Sequence, residues 1–204
     1  EILFTNARLI DPVTLTDTLG WLRVAKGKIV DSGDGKAPEP KGEVIDCGGL
    51  CLAPGIVDIG VKVSEPGERH KESFRSAGKA AAAGGVTTMV TRPDTSPAID
   101  SPEILEFVAR RAAAESIVNV LPMAALTKGR AGREMTEIGF LLDAGAVAFT
   151  DCDRVVTDTK VYARALTYAR SLGALVIGHV QEPILSDGAA ATKGKFASLR
   201  GLPD

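Results

Sequence analysis

Two histidines and three cysteines are the only imidazoles and thiols in this 204-residue chain. His70, His179, Cys47, Cys51 and Cys152, together with Lys62 and the acids Asp151 and Asp153, carry most of its chemical potential. Zinc takes imidazole, thiolate or carboxylate donors in a tetrahedral set. Two histidines cannot build a two-metal site from protein imidazoles within this segment. Cys47 and Cys51 have no His or further Cys close by in the chain, so they read as small thiols rather than ligands. Asp151 and Asp153 suggest paired carboxylates for acid–base work, but neighbours so spaced in a loop more commonly form turns. A single His at a strand end is more commonly a hydrogen-bonded structural group than a ligand, and His179 carries both readings. His70, in a Lys/Glu-rich loop, reads as structural. Cys152 reads as an ordinary loop or core thiol. Lys193, Lys195 and Arg200 read as a solvated loop.

These groups need elements to hold them. Residues 1–53 are short apolar runs broken by turn formers: Ile2–Phe4, Ala7–Ile10, Trp21–Val24 and Lys28–Val30 predict strands of a small β domain. From Pro54 the rhythm becomes strand, loop, helix. Predicted strands cover 56–63, 86–91, 117–121, 146–150 and 174–178. Predicted helices cover 72–83, a segment opened by Ser101-Pro102, 135–143 and 158–171. Such alternation implies an α/β fold with a parallel sheet. An open doubly wound sheet and part of an eight-stranded β/α barrel both fit, and in both the chemistry sits at the carboxyl ends of the strands. Within 56–63, strict alternation would put Asp58, Gly60 and Lys62 on one face and Ile59, Val61 and Val63 on the other.

Composition narrows the classes. The chain is 45% hydrophobic and 25% charged, with a formal net charge of −2. That supports a folded core, and it leaves no basic surplus for nucleic acid. No apolar run approaches the ~20 residues of a membrane span. Three cysteines without a pairing pattern point to reduced thiols and a cytoplasmic location. The first βα turn, Ser64-Glu65-Pro66-Gly67-Glu68-Arg69, is not a dinucleotide fingerprint, and no Walker A pattern occurs.

Several stretches are recognisable together. Ala53-Pro54-Gly55-Ile56-Val57-Asp58, Glu65-Pro66-Gly67, His70-Lys71-Glu72, the run Lys79–Thr88 and Pro93-Asp94-Thr95-Ser96-Pro97 resemble the dihydroorotase branch of the amidohydrolase superfamily. Gly145–Asp151 and the strand ending in His179 continue the match. Hydantoinases and allantoinases share much of the same pattern. The resemblance implies a partial TIM-type β/α barrel over 54–204, with about five of eight strands present, and an incomplete β-sandwich over 1–53. The start at Glu1 and this strand count predict a partial chain. The resemblance also implies one or two zinc ions held by His-x-His at the end of barrel strand one. An acid after strand four (Asp151) and a His after strand five (His179) would join them, with an Arg and an Asn holding the substrate.

The chain departs from that pattern at four positions. Gly60 and Lys62 occupy the His-x-His positions, Ser64 the Arg position and Asp94 the Asn position. Glycine has no ligand atom, and a lysine ammonium has no lone pair to give a metal. Serine cannot replace the bidentate fork of an arginine, and Asp94 adds negative charge beside an anionic substrate. No cofactor is therefore expected in this segment.

The resemblance implies, first, a degenerate homologue without catalysis that partners aspartate transcarbamoylase in pyrimidine biosynthesis. A homo-oligomer is the other partner expectation. Second comes a metal-dependent cyclic-amide hydrolase with an altered zinc site. Third comes a non-catalytic hydantoinase-like scaffold. Lys62 carries two readings: its ammonium takes the metal's electrostatic place by pairing with Asp151, or it reaches solvent through the barrel mouth.

Overall fold

The computed structural model describes residues 1–203; Asp204, the end of the second predicted domain, lies outside the described residues. The chain divides into two compact units that part between Gly55 and Ile56.

The first unit is a five-stranded sheet. Strands β1 (Ile2–Asp11), β2 (Thr16–Ala25), β3 (Lys28–Asp34) and β4 (Glu43–Asp46) lie in the order β3-β2-β1-β4, and β5 (Cys51–Leu52) pairs with β1. The two runs expected at Ile2–Phe4 and Ala7–Ile10 are one strand with a register shift between Phe4 and Ala7. Glu43–Asp46 forms a strand that the turn-rich sequence around it concealed. Phe4, Leu9, Ile10, Leu22, Val24 and Ile29 line an apolar groove on this sheet.

The second unit places β6 (Ile56–Val61), β7 (Val86–Thr91) and β8 (Asn119–Pro122) in a parallel sheet. Helices α1 (Phe74–Ala83), α2 (Pro102–Glu115), α3 (Ile138–Asp143) and α4 (Thr159–Ser171) follow the strand positions. A short α5 (Lys195–Arg200) was not expected. The predicted strands at 146–150 and 174–178 are present only as bridges, Ala124 to Phe149 and Phe149 to Val176. Both are parallel and continue the sheet direction, but each pairing is too short for a ladder.

Local chemistry accounts for the helices. Ser73 and Ser76 form a reciprocal capping box at the start of α1. Pro102 sits at the first position of α2, where its missing N–H costs nothing, although the Ser101 side chain makes no cap bond. Asp158 accepts from the Lys160 and Val161 N–H groups and so starts α4. α2 buries Leu105, Val108 and Ala112. Phe107 falls off that stripe and is exposed. The core joins Phe74, Met89, Leu105, Val108, Leu141 and Phe149 between the sheet and the helices. A smaller cluster of Val90, Met123 and Ala148 packs with Ile177. Alternation along β7 puts Met89 and Val90 on opposite faces, so the two clusters lie on opposite sides of the sheet.

Candidate functional site

Strand β6 does not alternate as the sequence suggested. Its register to β7 shifts between Ile59 and Val61, and Gly60 takes φ of 98°. Such a bulge adds one residue and re-aims the chain, and glycine tolerates the positive φ. Asp58 is therefore opposite Met89, Ile59 opposite Val90, and Val61 opposite Thr91. Ile59, grouped with Val61 by strict alternation, instead shares the Val90 face, while Val61 pairs with Thr91, and Ile59 lines a cavity at the strand ends.

That cavity, about 340 Å³, is lined by Ile59, Gly60, Arg92, Met123, Cys152 and His179 among others. Two of the sequence-predicted positions, Gly60 and His179, thus meet at one site. His179 is exposed and its Nε2 lies 2.9 Å from the Gln181 Oε1. Ser64 lies in the loop after β6, where its carbonyl accepts the Glu68 N–H. His70, Cys47 and Cys51 are not among its lining residues.

Lys62 pairs with Asp94, not with Asp151. The ammonium lies 3.1 Å from Asp94 Oδ2. Arg92 donates to the same carboxylate twice, Nε to Oδ1 at 3.2 Å and Nη2 to Oδ2 at 2.9 Å. Two cations therefore hold one buried acid. The pairing of β6 with β7 brings them together: Arg92 and Asp94 follow β7 directly, and the β6 bulge precedes Lys62.

Asp151 has another use. Its Oδ1 accepts the Leu126 and Thr127 N–H groups, both at 3.0 Å, and its Oδ2 accepts the Thr127 hydroxyl at 2.5 Å. Arg130 donates to the Asp151 carbonyl and pairs with Asp153. This brace spans residues flanking Cys152, which stands at φ of 59° and projects into the strand-end cavity. Asp151 does border a second, small cavity of about 80 Å³ together with His179. Burial pushes the Cys152 thiol pKa up and nearby Asp94 adds to the rise, while Arg92 opposes it. Sequence reading missed Arg92 as a member of the site and took Cys152, beside Asp151, for an ordinary thiol: neither belongs to a spaced motif, and the strand order brings them together.

A second built feature lies behind the loop after β6. Buried Glu65 accepts from the Phe74 N–H at 3.2 Å and from Arg111 Nε at 2.9 Å, tying that loop to the starts of α1 and α2's far turn. A side chain at Gly67 would meet the Ser96 carbonyl oxygen at 2.3 Å, so Glu65-Pro66-Gly67 and Ser96-Pro97 approach as only glycine allows.

These loops belong to a known pattern. Residues 49–203 match the family model described as Dihydro-orotase-like. The chain belongs to the dihydro-orotase-like family. It is 39% identical over 202 residues to a protein named Dihydroorotase from Sulfurihydrogenibium sp., and 41% identical over 203 residues to one from Wolbachia sp. subsp. Drosophila simulans. Those matches cover 99% of this chain but 48% and 46% of the relatives, so the chain spans about half their length. The L-hydantoinase of Arthrobacter aurescens has a similar fold, with a TM-score of 0.79 at 20% identity, over 92% of this chain and 42% of that one. A dihydroorotase crystal structure matches with a TM-score of 0.57 at 16% identity, over 89% and 51%. These structural likenesses establish a mixed α/β, amidohydrolase-type fold.

The family's metal position is a poor fit for this chain's residues. Gly60 offers no donor, and Lys62 is committed to Asp94 as a cation. The Asp151 carboxylate is already filled with hydrogen bonds. Among the described residues, no three His, Cys, Asp or Glu side chains gather in a metal-holding group. No helix among them is long and apolar enough to cross a membrane.

Proposed function

We propose that this chain is a dihydroorotase-like protein of pyrimidine biosynthesis that has lost hydrolysis and serves as a structural partner of aspartate transcarbamoylase in the cytoplasm. The observation that carries the reading is the Lys62–Asp94–Arg92 cluster at the position where the family places metal ligands. A paired ammonium there supplies positive charge without an open coordination site, and so without a metal to lower the pKa of an attacking water. Family membership and relatives named Dihydroorotase support the pathway. The parallel strands followed by helices support reading residues 54–204 as part of a β/α barrel, and the apolar groove on the sheet of residues 1–53 supports an incomplete sandwich. Self-association is the competing partner reading.

A second reading has its own support. Relatives named Dihydroorotase are 39% and 41% identical, which favours a cyclic-amide hydrolase with an altered zinc site. The experiment pairs an assay with a sizing column. The expected result is no dihydroorotate formed by the purified protein, and co-elution with aspartate transcarbamoylase. Measurable turnover overturns the first reading; elution alone or as a homo-oligomer in the presence of the transcarbamoylase overturns the partnership.

A further inference from the structure

We propose that residues 190–203 form a basic, apolar-tipped loop that docks on an acidic surface of a protein partner. The inference rests on the partnership reading of this chain and names the face that makes the contact.

The loop is closed by its own backbone. The Ala190 and Ala191 N–H groups donate to the Pro203 carbonyl at 2.8 and 3.3 Å and tie its ends together. Surface loops whose ends meet in this way are compact. Within it, α5 buries Ala197 and leaves Lys195, Phe196, Ser198, Leu199 and Arg200 exposed. Gly201, at φ of 61°, ends the helix, and the Leu202 N–H donates to the Ala197 carbonyl. A loop already held by these bonds has less ordering to undergo on binding.

Its charge has one sign. Between Ala190 and Pro203 stand Lys193, Lys195 and Arg200, and no acid. All three cations are exposed, and none forms an ion pair among the described residues. The acids that precede the loop are engaged elsewhere: Glu182 accepts the Leu185 N–H, and Asp187 lines a cavity with Arg130 and Arg154. The loop is therefore a local cationic surplus in a chain of formal net charge −2. Its apolar groups sit amid these charges. Phe196 is 66% exposed and Leu199 75%, and at three residues apart on α5 they share one side of it. Arg200 lies over the Phe196 ring, 5.9 Å from the centroid, so cation and aromatic are presented together.

An aromatic with an arginine beside it is what protein interfaces concentrate at their anchors. Unmatched cations around that anchor select an acidic face opposite. A lipid surface fits less well, because three cations fall short of the roughly four to eight that mark anionic-lipid binding.

The test measures the affinity of the purified protein for immobilised aspartate transcarbamoylase by biolayer interferometry. Lys195→Glu with Arg200→Glu is expected to weaken binding about tenfold, and Phe196→Ser by a similar factor. Lys28→Glu with Lys36→Glu, an equal charge change on exposed residues of the first unit, should bind as the parent does. The charge-reversed and Phe196→Ser proteins are independent, so either keeps the test readable if the other fails to fold. Full affinity in both, or an equal loss in the Lys28→Glu, Lys36→Glu protein, overturns the inference and leaves the partnership standing. No binding by the parent overturns both. Sedimentation of the parent with phosphatidylserine vesicles, lost in the Lys195→Glu, Arg200→Glu protein, would give the loop to a lipid surface and overturn the inference.

Discussion

The Lys62 ammonium lies 3.1 Å from the Asp94 carboxylate and shares its Oδ2 with Arg92. The pair links the first two strand ends of the parallel sheet through side chains from the segments after β6 and β7. It makes a charge cluster of the positions where relatives of this family are expected to bind metal and substrate.

The cluster's members should not contribute equally to stability. Asp94 is buried under two cations, so Asp94→Asn is expected to cost about 1–3 kcal/mol. Lys62 is half exposed, so Lys62→Met should cost under ~1 kcal/mol. Urea midpoints of the two variants give the ranking; a larger loss for Lys62→Met would contradict it.

Asp151 is expected to be a folding residue. Asp151→Ala strands two backbone N–H groups and the Thr127 hydroxyl in a buried place, at about 2–4 kcal/mol. Thr127→Val removes one of those bonds and the hydroxyl that accepts the Gly132 N–H, and should cost about 1–3 kcal/mol. Thermal unfolding measures both. An Asp151→Ala protein as stable as the parent would return Asp151 to the list of free site carboxylates.

Cysteine reactivity should separate by environment. Cys51 is exposed, while Cys152 is half-buried with its thiol pKa pushed up by burial. The thiolate is the reactive form, so at pH 7.5 iodoacetamide should label Cys51 well before Cys152. Peptide mass mapping over time reads the order, and faster labelling of Cys152 would contradict the described environment.

Acid should weaken the first unit. Asp11 is held below the usual carboxylate range by the Val13 N–H, Asp17 by Arg8 and Asp46 by the Gly48 N–H. A carboxyl with a lowered folded pKa stabilises above its unfolded pKa, and that stability is lost as pH falls through the folded value. Unfolding free energy should therefore hold steady near neutrality and decline below about pH 4. Trp21, on β2, reports this by fluorescence. Unchanged stability of the Trp21 signal down to pH 2 would be the contrary outcome.

Much of this architecture was readable because its causes are local. Ser73, Pro102 and Asp158 mark helix starts through groups within one turn, and Gly84 and Gly173 mark ends. The run Val86–Thr91 reads as a strand from its own residues and is one. The site was less readable because its causes are distant. The Gly60 bulge is a matter of register against β7, so the expected facing of Ile59 failed. The partner of Lys62 depends on which strand lies beside β6, and Asp94 rather than Asp151 stands on that neighbour's end. The buried acceptor role of Asp151 needs the turn at Leu126–Thr127, 24 and 25 residues away.

The bulge also bears on restoring a metal site. Gly60→His places a β-carbon at φ of 98°, a conformation that costs an L residue about 1–2 kcal/mol. That strain, with the Asp151 carboxylate already accepting three hydrogen bonds and so not free as a further ligand, leads us to expect the Gly60→His, Lys62→His protein to bind no more zinc than the parent, by equilibrium dialysis. A stoichiometric gain would show a remnant site waiting only for its imidazoles.

The most direct test of the central claim is the zinc content of the parent protein after purification and dialysis in zinc-containing buffer, measured by atomic emission. A site in which Lys62 and Arg92 hold Asp94 predicts far less than one zinc per chain. One zinc or more per chain, lost on Asp94→Asn or His179→Ala, would contradict it.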